Sequence, residues 1–243
     1  MRCPTCAMCA RQPKPPRAKS SKTRSGNRLL LSPVTLAHMG RAPSLVGVVL
    51  AAGESSRMGR DKALLPWRGE TFLTTAIRSL AMSTELVVVV AGKNLENIRP
   101  LADAAGAFTI ANPAPARGQF SSLQVGLQKV LNRGRDAAMV TLVDRPAPSL
   151  ITVAKLRTAF EEALLSGKWA VVPEYQGRHG HPIVIAREMI TAFLMAPVTS
   201  TARDVEHANQ ERIEYVSVDD PYVVANLNTP EDYAQITAKA FQG

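Results

Sequence analysis

Acidic residues are missing from the first 44 positions of this 243-residue chain, and cysteine is missing from everything after position 9. Residues 1–44 hold nine cations (Arg2, Arg11, Lys14, Arg17, Lys19, Lys22, Arg24, Arg28 and Arg41) and no carboxylate. Taking these nine from the 29 Lys and Arg leaves 20, against all 20 Asp and Glu, so residues 45–243 are formally neutral. The net charge of +9 is therefore a property of the tail, and the body offers no basic surplus for nucleic acid or a membrane. Rich in Pro, Ser and Thr, the tail has too little apolar surface to offset chain entropy, so disorder is predicted for 1–44. Its longest apolar stretch, Leu29–Leu31, is too short for a signal-peptide core or a membrane span. Neither a membrane nor a specific nucleic acid is expected as a partner. A body of residues 45–243 that needs no disulfide suits a cytoplasmic enzyme.

The three cysteines, Cys3, Cys6 and Cys9, have C-x-x-C-x-x-C spacing. A closed zinc or iron–sulfur site needs a fourth ligand, and His38 is the one further candidate in the tail. Redox or adventitious thiol chemistry is the alternative. Met39 stands just before the first expected strand, so the natural protein could also begin there, with 1–38 an overextended reading frame.

Two familiar phosphate-binding fingerprints are absent as well. The chain has no G-x-x-x-x-G-K-[ST], and no G-x-G-x-x-G follows its first strand. What stands there instead is Leu50–Lys62, L-A-A-G-E-S-S-R-M-G-R-D-K, directly after the apolar run Leu45–Val49. A strand end, a glycine and a loop rich in hydroxyls and cations are a way to hold a nucleoside triphosphate. Gly53 lets phosphate approach the backbone without a Cβ in the way. Successive N–H groups near Gly53, Ser55 and Ser56 can form an anion nest. Arg57 and Lys62 supply charge, one as a fork and one as a point.

Along the body, apolar runs and helical spacings alternate. Strands are expected at Val46–Ala52, Leu86–Ala91, Ala107–Ala111, Ala137–Val143, Pro182–Ala186 and Arg212–Val218, and the pattern changes after Trp169–Pro173. Helices are expected at Phe72–Met82, Leu95–Ala104, Ser122–Leu131, Leu150–Leu165, Arg187–Met195 and Pro230–Phe241. Thr229 reads as the cap of the last helix, with Glu231 and Asp232 in its first turn. Strands that are apolar throughout predict an α/β fold: a Rossmann-like open, mostly parallel sheet with helices on both faces. A small antiparallel excursion is expected near 174–186. Such sheets bind ligands at their carboxyl ends, where Asp144 follows the fourth strand in L-V-D-R-P and is placed to hold Mg²⁺.

The string L-A-A-G-x-S-x-R-M-G-x-x-K resembles the signature of the MobA/MocA-like nucleotidyltransferases, whose fold is that of the nucleotide-diphospho-sugar transferases. Four segments carry the resemblance, from about Val46 to Tyr233. The first implies nucleotide binding by Leu50, Ala51, Ala52, Gly53, Ser55, Ser56, Arg57 and Lys62. Its Leu-Ala-Ala-Gly form goes with cytidylyl transfer, where Leu-Ala-Gly-Gly goes with guanylyl transfer. Asp144 and Pro146 match an Asp-x-Pro metal motif, with Arg145 where relatives often have Gln. Asn112, Gly118, Ser121 and Ser122 match a segment that contacts base and ribose, although a Ser at a helix start is also an ordinary cap. Gly177, Arg178, Gly180, His181 and Pro182 match an acceptor-side Gly-x-x-Gly-His-Pro segment. Asn226 and Asn228 match positions that complete the metal shell, where several relatives have Asp.

The resemblance implies a Mg²⁺-dependent enzyme moving a nucleoside monophosphate, CMP from CTP in first place, to the phosphate of molybdopterin or the molybdenum cofactor, with a client molybdoenzyme as a further partner to consider. The catalytic set is Arg57, Lys62 and Asp144; the metal set is Asp144, Asn226 and Asn228. Open alternatives are GTP as donor, a sugar phosphate or another phosphate as acceptor, and a non-catalytic protein that delivers the cofactor. The domain organisation expected is a tail, 1–44, and one transferase domain, 45–243.

Overall fold

The computed structural model describes residues 43–53 and 58–240. The tail with Cys3, Cys6, Cys9, His38 and Met39, and the loop residues Ser55, Ser56 and Arg57, lie outside the described residues.

Leu45–Ala51 forms β1, and all seven residues are buried. Its L-V-G-V-V-L-A run is rich in β-branched side chains and has no polar face, so it suits only a strand covered on both sides. Leu45, Val49 and Ala51 point into one core and Val46, Val48 and Leu50 into the other. A short hairpin follows, Pro66–Trp67 (β2) against Glu70–Thr71 (β3). The chain then runs through Phe72–Ala81 (α1), Leu86–Ala91 (β4), Leu95–Ala104 (α2), Phe108–Ala111 (β5), Gln119–Asn132 (α3) and Ala137–Leu142 (β6). Leu150–Leu165 (α4), Ala170–Tyr175 (β7), Arg178–His179 (β8), Ile183–Ala186 (β9) and Arg187–Met195 (α5) come next. Ala202–Ala208 (α6), Ile213–Ser217 (β10) and Pro230–Ala240 (α7) complete it.

The main sheet has the order β10-β7-β9-β6-β1-β4-β5, with β8 paired to β7. β1 is parallel to β4 and β6, β4 to β5, and β10 to β7. β9 alone in that order runs antiparallel, between β6 and β7. The carboxyl ends of β1, β4, β5, β6 and β7 therefore share one edge with the start of β9. Helices α1, α2 and α4 pack on one face, and α3, α5 and α6 on the other. Because the chain steps from β1 out to β5 and then returns to β6 on the far side of β1, the edge above β1 is a topological switch point. The α/β class and the antiparallel excursion at 174–186 are those expected from the sequence.

Three features depart from the periodicity. The β2–β3 hairpin and the seven-residue α6 are too short for an apolar period to register. α6 is marked instead by a capping box in which Thr201 and Asp204 bond reciprocally. α3 starts three residues before the expected Ser122, because Gly118 turns the chain with φ +88° immediately ahead of it. Among the described residues no helix is long and apolar enough to cross a membrane.

Candidate active site at the carboxyl edge of the sheet

Asp144 stands two residues beyond β6, and Lys62 reaches it from the loop after β1. Lys62 Nζ lies 3.4 Å from Asp144 Oδ2, with the two side chains 14% and 28% exposed. That distance is long for a charge-assisted bond. The other oxygen, Oδ1, is sealed from solvent and has no hydrogen-bond partner among the described residues. A buried carboxylate oxygen without a partner is costly to maintain. It is the acceptor that a bound cation would satisfy.

Lys62 is placed by polar contacts that the sequence did not single out. Asp61 caps the single 3-10 turn Lys62–Leu64, its Oδ1 accepting from the Ala63 N–H at 2.9 Å. Its Oδ2 accepts from Asn94 Nδ2 at 2.7 Å, and the same amide donates to the Ala51 carbonyl at 3.0 Å. Asn94 Oδ1 in turn accepts from the Gly92 N–H at 3.1 Å. Gly92 has to be glycine: a Cβ there would lie 2.6 Å from the Ala52 carbonyl oxygen. A glycine directly after a valine-rich strand was the available signal for this close approach. Gly53 is different, since a Cβ there would meet nothing within 4 Å among the described residues. Ala52 is half-buried beside it.

The segment with Asn226 and Asn228 arrives at Asp144 through a small core of its own. Leu227 packs with Met58, Leu65, Trp67 and Phe72, joined by Tyr222, Tyr233 and Ile236. Its N–H donates to the Asp144 carbonyl at 2.9 Å. Asn226 is exposed and Asn228 half-buried on either side. Asp232 Oδ2 accepts from the N–H groups of Asn228 (2.8 Å) and Thr229 (3.0 Å), and the Asp232 N–H donates back to Thr229 Oγ1. These bonds, and Lys62 nearby, hold the Asp232 carboxyl below its usual range. The expected cap of the last helix is therefore present, with Asp232 closing it.

Asn112, Ser121 and Ser122 come together in a mostly buried cluster, of which Asn112 and Ser121 also line a groove. Asn112 Nδ2 donates to both seryl oxygens at 2.9 Å, and Asn112 Oδ1 accepts from the Ala114 N–H. All three residues are buried, so their side chains fix the loop 112–118 to α3. Gly118, exposed ahead of α3, caps that helix without a side-chain bond, which leaves its first N–H groups and positive dipole end available to an anion. A groove of about 380 Å³ between this loop, Gln124 and Leu194 is lined by neither Lys62 nor Asp144.

On the other side of Asp144, Gly177 and Gln176 both have positive φ in the tight β7–β8 turn, so Gly177 serves the hairpin. Gly180 makes room for Val223, whose carbonyl oxygen would be 2.2 Å from a Cβ at that position. The His181 N–H donates to this same carbonyl at 2.8 Å, and Arg145 Nη1 at 3.2 Å. The His181–Pro182 peptide is cis and Pro182 is buried. Burial lowers the Arg145 pKa, Asp144 partly restores it, and Arg178 on the exposed β8 lowers it further. Burial, helped by Arg145, holds His181 down to about 3, so its ring is neutral at ordinary pH. The structure thus gathers Lys62, Asp144, Arg145, His181 and the Asn226–Asn228 segment at one edge.

Among the described residues no cluster of three His, Cys, Asp or Glu side chains could hold a metal. A lone carboxylate with nearby amide oxygens still fits Mg²⁺, which commonly binds through one or two carboxylates, waters and substrate phosphates. The orphaned Oδ1 of Asp144 is the observation that makes the fit.

The model of the MobA-like NTP transferase domain matches residues 47–232. The chain is 26% identical over 194 residues to the molybdenum cofactor cytidylyltransferase of Escherichia coli, covering 79% of this chain and 94% of that one. It is 31% identical over 193 residues to the molybdenum cofactor guanylyltransferase of Xanthomonas euvesicatoria, covering 78% and 93%. Among solved structures, Rv0371c of Mycobacterium tuberculosis in complex with manganese superimposes with a TM-score of 0.64 at 21% identity, over 80% of this chain and 98% of that one. That likeness establishes the fold.

Proposed function

The chain belongs to the MobA-like NTP transferase family, and from that premise we propose that it moves CMP from CTP to the terminal phosphate of molybdopterin or its molybdenum form. The observation that carries the reading is Asp144, held at the switch point between Lys62 and the Asn226–Asn228 segment with one oxygen unsatisfied among the described residues. Two relatives named for transfer to the molybdenum cofactor, matched over more than nine-tenths of their lengths, supply the acceptor.

In the reaction, an oxygen of the acceptor phosphate attacks the α-phosphorus in line. A new P–O bond forms as the bond to the bridging oxygen of the β-phosphate breaks, and pyrophosphate leaves with the electron pair. Chemistry of this kind is mostly positioning and charge stabilisation, so no protein nucleophile is required. Lys62 steadies the α-phosphate, and Arg57 is assigned to the β- and γ-phosphates. Asp144, with Asn228 or Asn226, would hold Mg²⁺, which when bound neutralises triphosphate charge. The backbone at Ala52 and Gly53, beyond the buried β1 residues Leu50 and Ala51, and the uncapped start of α3 after Gly118, are assigned to the nucleotide.

The choice of CTP rests on Ala52. Half-buried next to Gly53, it carries a methyl group where the guanylyl form of the signature has none, and that methyl is assigned to disfavour a purine. The guanylyl reading has its own support in the 31% identity to a guanylyltransferase. Pyrophosphate release with molybdopterin, Mg²⁺ and each nucleoside triphosphate in turn separates the two. A higher kcat/KM with CTP is expected; a higher value with GTP reverses the base, and no release with any triphosphate removes the transferase reading.

A further inference from the structure

Two nitrogens on the far side of Asp144 have been taken out of water and given nothing in return. Arg145 Nε and His181 Nδ1 are both sealed from solvent and without a hydrogen-bond partner among the described residues. Leaving a buried polar nitrogen unpaired forfeits its hydration, so such groups mark places where a ligand completes the bonding. The two residues are tied together, since the Arg145 guanidinium and the His181 N–H both donate to the Val223 carbonyl. Val223 itself is fully buried, and Gly180 exists to let it approach. The pair is therefore held firmly.

Charge around the pair is unbalanced. Asp144 is the carboxylate that attracts Arg145, Arg178 repels it, and Asp144 is already shared with Lys62. Two guanidinium groups thus stand near Asp144, whose charge is already shared with Lys62. His181 adds no negative charge to offset them.

We propose that Arg145, with Arg178 beside it, receives a phosphate monoester dianion as the acceptor group and selects it over a carboxylate. This rests on the reading of the edge as a nucleotidyl-transfer site. The guanidinium fork matches a phosphate face in a way that a glutamine or lysine does not. Direct adjacency of Arg145 to Asp144 in the chain puts the acceptor beside the group that holds the donor's charge, which is the positioning an in-line transfer needs.

The test is calorimetry on the full chain loaded with Mg²⁺ and the non-hydrolysable analogue α,β-methylene-CTP, titrated with inorganic phosphate and, separately, with acetate. The wild-type protein should bind phosphate more tightly than acetate. Arg145→Gln should weaken phosphate binding by about tenfold or more, as for loss of a charge-assisted bond, and leave analogue affinity within about twofold. Arg178→Gln, on an exposed strand where folding is not at stake, should weaken phosphate binding by a smaller factor. Equal binding of acetate and phosphate, or an unchanged phosphate affinity in Arg145→Gln, overturns the inference and leaves nucleotide binding standing. If Arg145→Gln does not fold, an unchanged affinity in Arg178→Gln overturns it. If neither this analogue nor α,β-methylene-GTP binds the wild-type protein, the transferase reading falls, and phosphate titration without nucleotide still decides the role of Arg145.

Discussion

The two sides of Asp144 are built differently. On the Lys62 side the polar groups answer one another: Asp61 caps the turn, Asn94 bonds Asp61, Ala51 and Gly92, and Lys62 leans on Asp144. On the Arg145 side the backbone is equally fixed, through Val223, but Arg145 Nε and His181 Nδ1 have no partner among the described residues. A side that is complete by itself acts on whatever phosphate arrives and should govern turnover. A side that is incomplete awaits a ligand and should govern how well that ligand binds. Substitutions on the first side are therefore expected in kcat, and on the second in the acceptor KM.

The largest effect should come from the residue that both sides share. Asp144→Ala is expected to lower kcat by about a thousandfold, and Lys62→Ala by about a hundredfold, as for loss of charge stabilisation at the reacting centre. Circular dichroism should show both variants folded. Near-normal turnover in either would remove its assigned role and erase the contrast between the sides.

Next comes Asn94, which touches no reacting group. Asn94→Ala breaks three bonds that tie the ends of β1 and β4 to the Lys62 turn through Asp61, and should lower kcat by about tenfold with the acceptor KM unchanged, the cost of a small misplacement. Steady-state kinetics decide the matter. A change confined to the acceptor KM would mean that the Lys62 side is not the self-contained one.

A stability measurement sharpens the other side. His181 takes up a proton near 6.5 in the unfolded chain but resists it down to about 3 in the folded protein. Between these values the unfolded state binds more protons, so the stability that depends on neutral His181 is full above about pH 6.5 and is lost as pH falls. Urea midpoints at pH 7.5 and 5 should therefore drop further in the wild type than in His181→Gln. Equal drops would show that His181 is not held neutral by burial.

The smallest effect is expected at Ala52. Ala52→Gly should relax the preference for CTP by about 1 kcal/mol or a little more, the scale on which one methyl group discriminates. Comparison of kcat/KM for CTP and GTP in the two proteins measures it.

Much of this was legible in the sequence where the signal is local. The buried parallel strands announced themselves as apolar runs without a polar face, and Thr229 with Asp232 announced the last cap. Asp144 followed from a strand end. Tertiary proximity was not legible. Nothing in A-G-K-N after β4 says that Asn94 will reach Asp61, 33 positions away. Nor does spacing reveal that Gly180 yields to Val223, or that Trp67 and Leu227 share a small core that delivers Asn226 and Asn228. The hydroxyls of Ser121 and Ser122 illustrate the converse. A Ser-Ser pair at a helix start reads as ligand-facing or capping, and only the structure shows that it also bonds Asn112 and ties down a loop.

The central claim is that Asp144 organises transfer of a nucleoside monophosphate to a phosphate acceptor. The most direct measurement follows the label from α-³²P-CTP onto molybdopterin in the presence of Mg²⁺, with wild-type protein and with Asp144→Ala. The account predicts labelled product and an equal amount of pyrophosphate with the wild type, and loss of both in the variant or on chelation of the metal. Binding of CTP without any transfer of label in the wild type, or undiminished transfer by Asp144→Ala, would contradict it.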